Sequence, residues 1–142
     1  MSEEQTIQFE LVSPEEKLVS EPVKMAIIPG EEGEFGVLAG HSSLVASLRP
    51  GVVELYAEGQ EAASQRIFIA GGFADVTGEQ CTVLAEEATA VDALSQSDIE
   101  QEIANLSEDL ARTDDEIEKA RAEKGLALAK AKLSAITGQL AA

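Results

Sequence analysis

Residues 97–116, SDIEQEIANLSEDLARTDDE, contain two helix starts and decide the fold of the C-terminal part of the chain. Residues 97–100 have the pattern of a capping box, in which a serine accepts hydrogen bonds from first-turn amides and a glutamate reaches back. One apolar helix face follows at spacings of four, three and four: Ile99, Ile103, Leu106 and Leu110. A second capping box at 113–116 predicts another helix over about 114–137. Two helices joined this closely are expected to fold back antiparallel.

The second predicted helix carries two apolar faces. At about 100° per residue, one side contains Leu126, Leu133, Ile136 and Leu140, and the opposite side contains Ile117, Ala120, Leu128, Ala131 and Ala135. One face can meet the first helix, so the other needs a further surface. The acidic first turn is followed by five basic residues, Lys119, Arg121, Lys124, Lys130 and Lys132. This order complements the helix dipole.

The residues before 88 have the composition of a β-domain. They hold all four prolines and nine of the eleven glycines, which suits an antiparallel sheet with many turns. Residues 6–11 alternate polar and apolar, as a half-buried strand does. Further strands are predicted at 23–28, closed by Pro29-Gly30, and at 52–56, 66–70, 73–76 and 81–84, with a hairpin turn at 77–80. We therefore predict a sandwich or flattened barrel over 1–87 and a helical domain over 88–142.

The net charge of −17 limits the kinds of partner. It opposes binding to nucleic acid and to anionic lipid, and the absence of Trp, with one Tyr, leaves little to stack a base on. A basic protein partner and simple solubility both remain as explanations. The single cysteine, Cys81, excludes an internal disulfide and suits a reducing compartment. We expect neither a signal peptide nor a transmembrane segment, because no apolar run approaches ~20 residues.

The sequence argues against an enzyme. Gly40-His41-Ser42 lacks the glycine that a nucleophile elbow needs two residues after its serine. One histidine and one cysteine cannot build a His- or Cys-based metal cluster, and no phosphate-binding loop is present. We expect no cofactor, no metal and no catalytic residue, and we interpret Gly71-Gly72 as a turn or bulge. The segment 29–41, with four glycines and three clustered acids, is equally consistent with a plain surface loop and with a functional one.

Motifs along nearly the whole chain resemble one known family. They are PGEEGEFGVLAGH at 29–41 with LRPGVV at 48–53, LVSPE at 11–15, FIAGGF at 68–73 and TVLAEEA at 82–88. In this order, followed by a helical hairpin, they resemble the epsilon subunit of F-type ATP synthases, whose mitochondrial counterpart is called delta. The resemblance implies an N-terminal antiparallel β-sandwich of about ten strands and a C-terminal antiparallel α-helical hairpin.

The resemblance also implies a function and partners. The protein would be a non-catalytic rotor subunit of the central stalk, bound to the gamma subunit and to the membrane ring of c subunits. It would couple rotation of the proton-driven ring to ATP synthesis, and it would lie peripherally on the cytoplasmic face of an energy-transducing membrane. The family positions that match Glu32, Glu34 and His41, with the adjacent Ser42, would contact the ring or gamma. Charge-assisted hydrogen bonds suit such a contact.

Two departures from the family pattern bear on the hairpin and the loop. Residues 39–43 read Ala-Gly-His-Ser-Ser where the family has Pro-Gly-His-Ala-Pro, so a less rigid loop is expected. The Ile-Asp-x-x-Arg motif that binds ATP in some bacterial members is missing from residues 94–98. We therefore expect a mostly folded hairpin that inhibits ATP hydrolysis weakly, with Lys119, Arg121, Lys124, Lys130 and Lys132 meeting the catalytic alpha and beta subunits if the hairpin extends. The alternative function is a free-standing regulatory module whose hairpin captures a target protein.

Overall fold

The first strand shows why the N-terminal part of the protein forms a layered sheet. In β1 (Ile7–Val12), Ile7, Phe9 and Leu11 are fully buried and the residues between them are half-buried. Because side chains alternate between the two faces of a strand, this pattern places one face on the core and the other outward. The computed structural model describes residues 5–138.

Nine more strands follow β1, and together the ten strands form one curled sheet that packs on itself as a sandwich. They are β2 (Lys17–Val23), β3 (Met25–Gly30), β4 (Gly33–Leu38), β5 (Leu44–Leu48), β6 (Gly51–Tyr56), β7 (Gln65–Ile69), β8 (Gly72–Val76), β9 (Gln80–Ala85) and β10 (Ala88–Ala90). The hydrogen-bonded order is β10-β7-β6-β3-β5-β8-β9-β1-β2, and β4 pairs with β3. The predicted sandwich of about ten strands is confirmed.

The sheet bends where β3 meets β5. These two strands share a single residue pair, Gly30 with Leu48, whereas β5 and β8 pair along their whole length. All strand pairs are antiparallel except β1 with β9, which pair in parallel. The predicted sandwich was antiparallel throughout, so this parallel pair was not expected. The enclosed core is entirely apolar among the described residues, with Phe9, Ile28 and Leu55 among its largest fully buried side chains.

Several predicted strands differ in the structure. The strand predicted at 23–28 is divided, because Val23 ends β2 and Met25 begins β3. Pro29 and Gly30, expected to close it, remain within β3. The segment 29–41 is not a plain loop: residues 33–38 form β4 and pair in continuous register with β3. Glycines weaken the sequence signal of a strand, so this hairpin was visible only as a turn-rich run.

The C-terminal part contains two helices that pack on each other, α1 (Gln96–Arg112) and α2 (Glu116–Thr137), after a short 3₁₀ turn at Val91–Ala93. The predicted seam of α1 is confirmed: Ile99 is buried, and Ile103, Leu106 and Leu110 are half-buried in an otherwise exposed helix. Gly138 ends α2 in the left-handed conformation, with φ of 75°, as helix-terminating glycines commonly do.

Both predicted capping boxes are displaced. Ser95, not Ser97, is the N-cap of α1, and its hydroxyl accepts from the amide of Asp98. Asp115, not Thr113, is the N-cap of α2 and accepts from the amide of Ile117. Thr113 instead caps the end of α1, and its hydroxyl donates to Glu118 at 2.6 Å. More than one side chain near each helix start is able to cap, Ser95 and Ser97 for α1 and Thr113, Asp114 and Asp115 for α2. The sequence alone does not say where the helical backbone begins.

The two predicted apolar faces of α2 are only partly covered. The face toward α1 is centred on small residues that the prediction left out, Ala122, Gly125 and Ala129. A Cβ added to Gly125 would lie 3.3 Å from a methyl carbon of Leu106, so the helices approach closely there. On the second predicted face Ala135 is buried, whereas Ile117 is 71% exposed. Leu140, assigned to the first face, lies outside the described residues.

The protein divides into two compact units, residues 1–90 and 91–142. The predicted division was 1–87 and 88–142. Residues 88–90 form β10, which pairs antiparallel with β7 from Ala88 opposite Ile69 to Ala90 opposite Ile67. These three residues are therefore part of the sheet.

Candidate protein-docking surfaces

The acidic hairpin between β3 and β4 has a two-residue tip, Glu31-Glu32. Gly30 and Gly33 face each other beneath the tip, and Gly33 has a φ of 139°, which favours glycine. A Cβ on Gly30 would lie 2.7 Å from the carbonyl oxygen of Gly33. The two glycines thus permit the tight turn, and the turn presents both tip glutamates to solvent.

The four residues expected to contact the ring or gamma lie along the β4 edge, which we define as residues 32–42. Glu32 is at the tip and Glu34 pairs with Pro29 close to it, whereas His41 and Ser42 follow the other end of the strand. The two ends of a six-residue strand are roughly 17 Å apart. The structure therefore brings these residues onto one edge of the sheet but separates them into two groups.

The second group is held in place by backbone hydrogen bonds. The amide of His41 donates to the carbonyl of Leu38 at 3.1 Å, and the amide of Gly40 donates to the carbonyl of Gly78 at 2.8 Å. The Nδ1–H of His41 donates to the carbonyl of Ser42 at 2.6 Å. The Gly40 bond ties the loop after β4 to the β8–β9 turn and the two His41 bonds brace the loop itself, although the prolines common in the family are missing here.

A groove of about 430 Å³ lies beside the acidic tip. Phe35, Leu44 and Val45 give it an apolar floor, and Glu31 and Glu32 form an acidic rim. This combination suits a basic side chain, because the apolar stem of Lys or Arg can lie on the floor while its charge reaches the carboxylates.

An exposed apolar patch lies on the outward face of the layer that contains β5, β8, β9 and β1. Phe73 and Leu84 are directly opposite each other on β8 and β9, and they are 55% and 51% exposed. Val12 is the β1 partner of Leu84, and Val45, 72% exposed, lies on β5 diagonally from Phe73. We call these four residues the outer patch. Contiguous exposed apolar side chains commonly mark a protein interface.

Sequence reasoning missed the outer patch. The residues Thr82-Val83-Leu84-Ala85 do contain a signal, because consecutive apolar residues break the alternation of a strand with one wet face. An apolar residue at an outward position then remains uncovered. Which position is outward becomes clear only from the register.

The five basic residues of α2 do not form one face. At about 100° per residue, Lys119 and Lys130 lie on one side of the helix and Arg121 and Lys132 on the opposite side. Within the described residues Lys119, Arg121, Lys124 and Lys130 make no ion pair, and the pair next to them, Arg112 with Glu108, is confined to α1.

A cleft of about 600 Å³ lies at the α1–α2 connector. It has an apolar base at Leu106 and Ala122, and its walls carry both signs of charge: Asp109, Arg112, Asp114, Asp115, Glu118 and Arg121. The capped start of α2 opens onto it. Four acids against two arginines leave the cleft acidic, but the arginines interrupt the acidic surface, so no group of one sign is gathered there for a charged ligand.

Cys81 is a core residue of β9 with no exposed surface. Burial, reinforced by the charge of Asp75, raises the pKa of its thiol to about 12. The thiolate is the reactive form of cysteine, so this side chain is inert at neutral pH.

Comparison with known proteins matches both units of the molecule. The family model of the β-sandwich domain of the ATP synthase delta/epsilon chain matches residues 6–91, and that of the C-terminal domain of the ATP synthase epsilon chain matches residues 96–142. The epsilon chain of Rhodospirillum centenum is 47% identical over 136 residues, which cover 94% of this protein and 93% of that one. The epsilon chain of Rhodospirillum rubrum is 43% identical, covering 94% and 98%.

Solved structures agree with these matches. One subunit of the Euglena gracilis mitochondrial ATP synthase, in a structure of OSCP, F1 and c-ring, superimposes with a TM-score of 0.79 and 28% identity. The match covers 89% of this protein and 78% of that subunit. One subunit of the Tetrahymena thermophila mitochondrial ATP synthase shares the fold, with a TM-score of 0.57 and 12% identity.

The fold and its surfaces define a class: a β-sandwich followed by two packed helices, with an acidic edge and an exposed apolar patch on the sandwich. Within that class, the sequence matches identify the family. The protein belongs to the delta/epsilon family of ATP synthase subunits and is an epsilon-type, non-catalytic subunit of that complex. No helix within residues 5–138 is both long enough and apolar enough to cross a membrane.

Proposed function

We propose that this protein is a rotor subunit of the central stalk, which carries torque between the proton-driven ring of c subunits and the catalytic head. Family membership supports a place in the ATP synthase. The observation that carries the mechanical role is that the sandwich offers two chemically different surfaces, an acidic edge and an apolar patch. A coupling element needs two simultaneous attachments, because torque passes only through a body held at both sides.

The β4 edge is the proposed contact with the ring, through Glu32, Glu34, His41 and Ser42. The exposed carboxylates are able to form charge-assisted hydrogen bonds with basic and amide groups. Each exposed pair contributes only ~0.2–1 kcal/mol, so several acting together are needed to resist slippage. The subunit would then lie peripherally at the cytoplasmic face of the energy-transducing membrane.

The outer patch is the proposed contact with the gamma subunit. Apolar burial stabilises by about 25 cal/mol per Å², and Phe73 and Leu84 form its centre as a cross-strand pair. An apolar attachment to gamma and a polar attachment to the ring would give the subunit one permanent and one adjustable contact.

The hairpin is proposed to regulate hydrolysis weakly. The five basic residues of α2 would contact the catalytic alpha and beta subunits only if the hairpin extends. Their distribution over opposite sides of the helix supports a weak brake, because one surface of the head cannot engage all of them at once.

The test is copurification and coupling in the assembled enzyme with charge-reversed subunits. Glu32→Lys with Glu34→Lys is expected to uncouple ATP hydrolysis from proton pumping or to weaken attachment to the ring. Glu58→Lys with Glu61→Lys, the same charge change at exposed positions of the β6–β7 loop, is the matched control and should leave both unchanged. Normal coupling and full retention of the Glu32/Glu34 variant would count against the ring contact.

The gamma contact is tested by Phe73→Ser with Leu84→Ser. Both side chains are more than half exposed, so the variant should fold, yet it should no longer copurify with gamma. Leu18→Ser, at a 39% exposed position of β2, serves as the control and should copurify normally. A wild-type protein that fails to copurify with the enzyme would favour a free-standing regulatory module.

A further inference from the structure

Three strands of the described sheet have a neighbour on one side only: β2, β4 and β10. Such edge strands expose unpaired backbone groups, and proteins usually protect them with short length, lysine, proline or a bulge. β10 has three residues, and β2 carries Lys17 and Pro22 and pairs with β1 through a register shift. β4 has six residues, no lysine, no proline and an unbroken register with β3. Its one protecting feature is the charge of Glu34, which repels an acidic strand but not a basic one.

The register shows which backbone groups of β4 point away from β3. Gly30 and Gly33 close a two-residue turn and therefore exchange hydrogen bonds with each other. Antiparallel pairs alternate between bonded and non-bonded. The bonded pairs are thus those of Gly33, Phe35 and Val37, and the N–H and C=O groups of Glu34 and Gly36 point outward, as does the N–H of Leu38. The carbonyl of Leu38 already accepts from the amide of His41.

The β3 side of the hairpin supports this alternation independently. Pro29, the partner of Glu34, has no N–H to give, and its carbonyl accepts from the amide of Arg49 on the opposite side of β3. The amide of Glu31 likewise donates to the carbonyl of Ser47 on that side. Pro29 therefore sits where β4 requires no hydrogen bond from it.

We propose that β4 receives an extended basic segment of the ring subunit that it contacts as an additional strand. This inference rests on the proposed function and adds the way the partner is held. Main-chain hydrogen bonds to Glu34, to Gly36 and to the N–H of Leu38 supply the attachment, as in other cases of strand addition. The partner segment carries a basic residue opposite Glu34 and an apolar residue opposite Leu38, which is 51% exposed. Gly36 leaves room between them for a large side chain.

The net charge of the protein argues for a basic partner and against a second copy. Each copy carries −17, and the β4 strand offers no basic side chain to receive Glu34 of another copy. The tip glutamates, Glu31 and Glu32, extend the acidic surface beyond the end of the strand, so they would repel an acidic partner as well.

Hydrogen exchange at single-residue resolution tests the proposal on the full-length protein, by itself and in the assembled ATP synthase. The amides of Glu34, Gly36 and Leu38 are expected to exchange at least about tenfold more slowly in the assembly, because strand pairing engages them. The amides of Phe35 and Val37, already bonded to β3, should change little. Equal exchange of the three outward amides in both states would overturn the proposal.

A pair of variants at Gly36 isolates the outward N–H. Gly36→Pro removes that N–H without breaking a bond to β3, which edge strands tolerate. Gly36→Ala keeps the N–H, and its Cβ would make an ordinary 3.8 Å contact with the sulfur of Met25. With both variants folded, Gly36→Pro should weaken retention in the assembly by about tenfold relative to Gly36→Ala. Equal retention would contradict strand addition.

Three further outcomes of these experiments would each overturn the proposal. Slow exchange that appears in the isolated protein and grows with its concentration would overturn the proposal in favour of self-pairing. A subunit that assembles while its outward amides stay fast would refute strand addition and leave the rotor function standing. A subunit that does not assemble at all would remove both.

Discussion

At Gly72 the backbone of β8 passes so close to β9 that no side chain fits. A Cβ there would lie 1.9 Å from the carbonyl oxygen of Leu84, and the residue has a φ of 150°. Gly71 before it has a φ of 117° and links β7 to β8. The glycine pair, interpreted from the sequence as a turn or bulge, therefore serves a close approach of two strands as well.

Gly72→Ala is expected to destabilise the protein by about 3 kcal/mol or more, since either the backbone of β9 must move or φ must change. Gly36→Ala is the matched control and should cost less than about 1 kcal/mol, because its Cβ meets only a flexible methionine side chain. Urea unfolding measures both. If both variants lose a similar amount of unfolding free energy, the backbone of β9 moves at Leu84 with little cost and the close approach is not a strong constraint.

Because Cys81 is buried as a neutral thiol, we expect the stability of the protein to depend on pH. Its thiol has a pKa of about 12 in the folded protein against an ordinary value of 9.0, so above pH 9 the unfolded state loses the proton first. The contribution of the Cys81 thiol to the free energy of unfolding is therefore fully present below pH 9. Relative to Cys81→Ala, the free energy of unfolding then falls by about 1.4 kcal/mol per pH unit as the pH rises toward 12. Unfolding of both proteins between about pH 8 and pH 11 measures this. If the difference in unfolding free energy between the two proteins stays constant over this pH range, the expected pH dependence is wrong.

At the scale of single elements, the helix starts depend on which of several polar side chains caps the backbone. In both connectors the cap lies two residues from the serine or threonine that the motif had indicated. The reason is geometric: a cap must precede the first helical residue and accept from an amide two or three positions later.

Ser95→Ala should therefore destabilise α1 by ~1 kcal/mol, whereas Ser97→Ala, inside the first turn, should be nearly neutral. Faster hydrogen exchange of the first-turn amides in the Ser95 variant alone is the expected observation. If the Ser97 variant shows the greater loss, the capping box read from the sequence is the correct one.

The strand β10 decides where the sandwich ends. A fragment of residues 1–90 is expected to melt cooperatively as a β-protein, because its core is complete. Residues 1–87 should be less stable by ~1–3 kcal/mol, since they lack the strand that pairs with β7 and the partly buried Ala88. Calorimetry of the two fragments makes the comparison, and an unfolded 1–90 fragment would contradict an independent sandwich.

At the scale of the whole molecule, the two units carry different parts of the proposed function. The sandwich presents the β4 edge and the outer patch, both on strands held by a continuous sheet. The hairpin is stabilised by a narrow seam against small residues of α2, and most of the stability of helices in proteins comes from such packing. Attachment is thus assigned to the rigid unit and regulation to the more easily altered one.

Deletion of residues 91–142 is expected to raise ATP hydrolysis by the assembled enzyme less than about threefold, as suits a weak brake. Each factor of ten in rate corresponds to about 1.36 kcal/mol. A rise of tenfold or more would mean that the hairpin is a strong inhibitor. As a control, the shortened subunit should copurify normally with the enzyme, because attachment is proposed to reside in residues 1–90.

Much of the architecture follows from the sequence. The apolar seam of α1, the composition change near residue 88 and the alternation in β1 are local patterns, and local patterns specify secondary structure where one face is buried. The family motifs at 29–41 and 68–73 then indicated the ten-stranded sandwich and the residues of the β4 edge. Ala122, Gly125 and Ala129 went unnoticed because small residues contribute little to an apolar pattern although they permit the closest helix approach.

By itself, the sequence determined the two-part organisation, the family and the helical hairpin, because these depend on periodicity and on motifs read along the chain. The tertiary structure decided the rest. Glu32 and His41 are separated by the length of β4, Phe73 and Leu84 meet on the outer face, and β4 remains an edge protected only by the charge of Glu34. The first depends on the extended backbone of β4, the second on the register of the β8–β9 hairpin and the third on the strand order of the whole sheet. Register is decisive because a shift of one residue would turn every side chain of a strand to the other face.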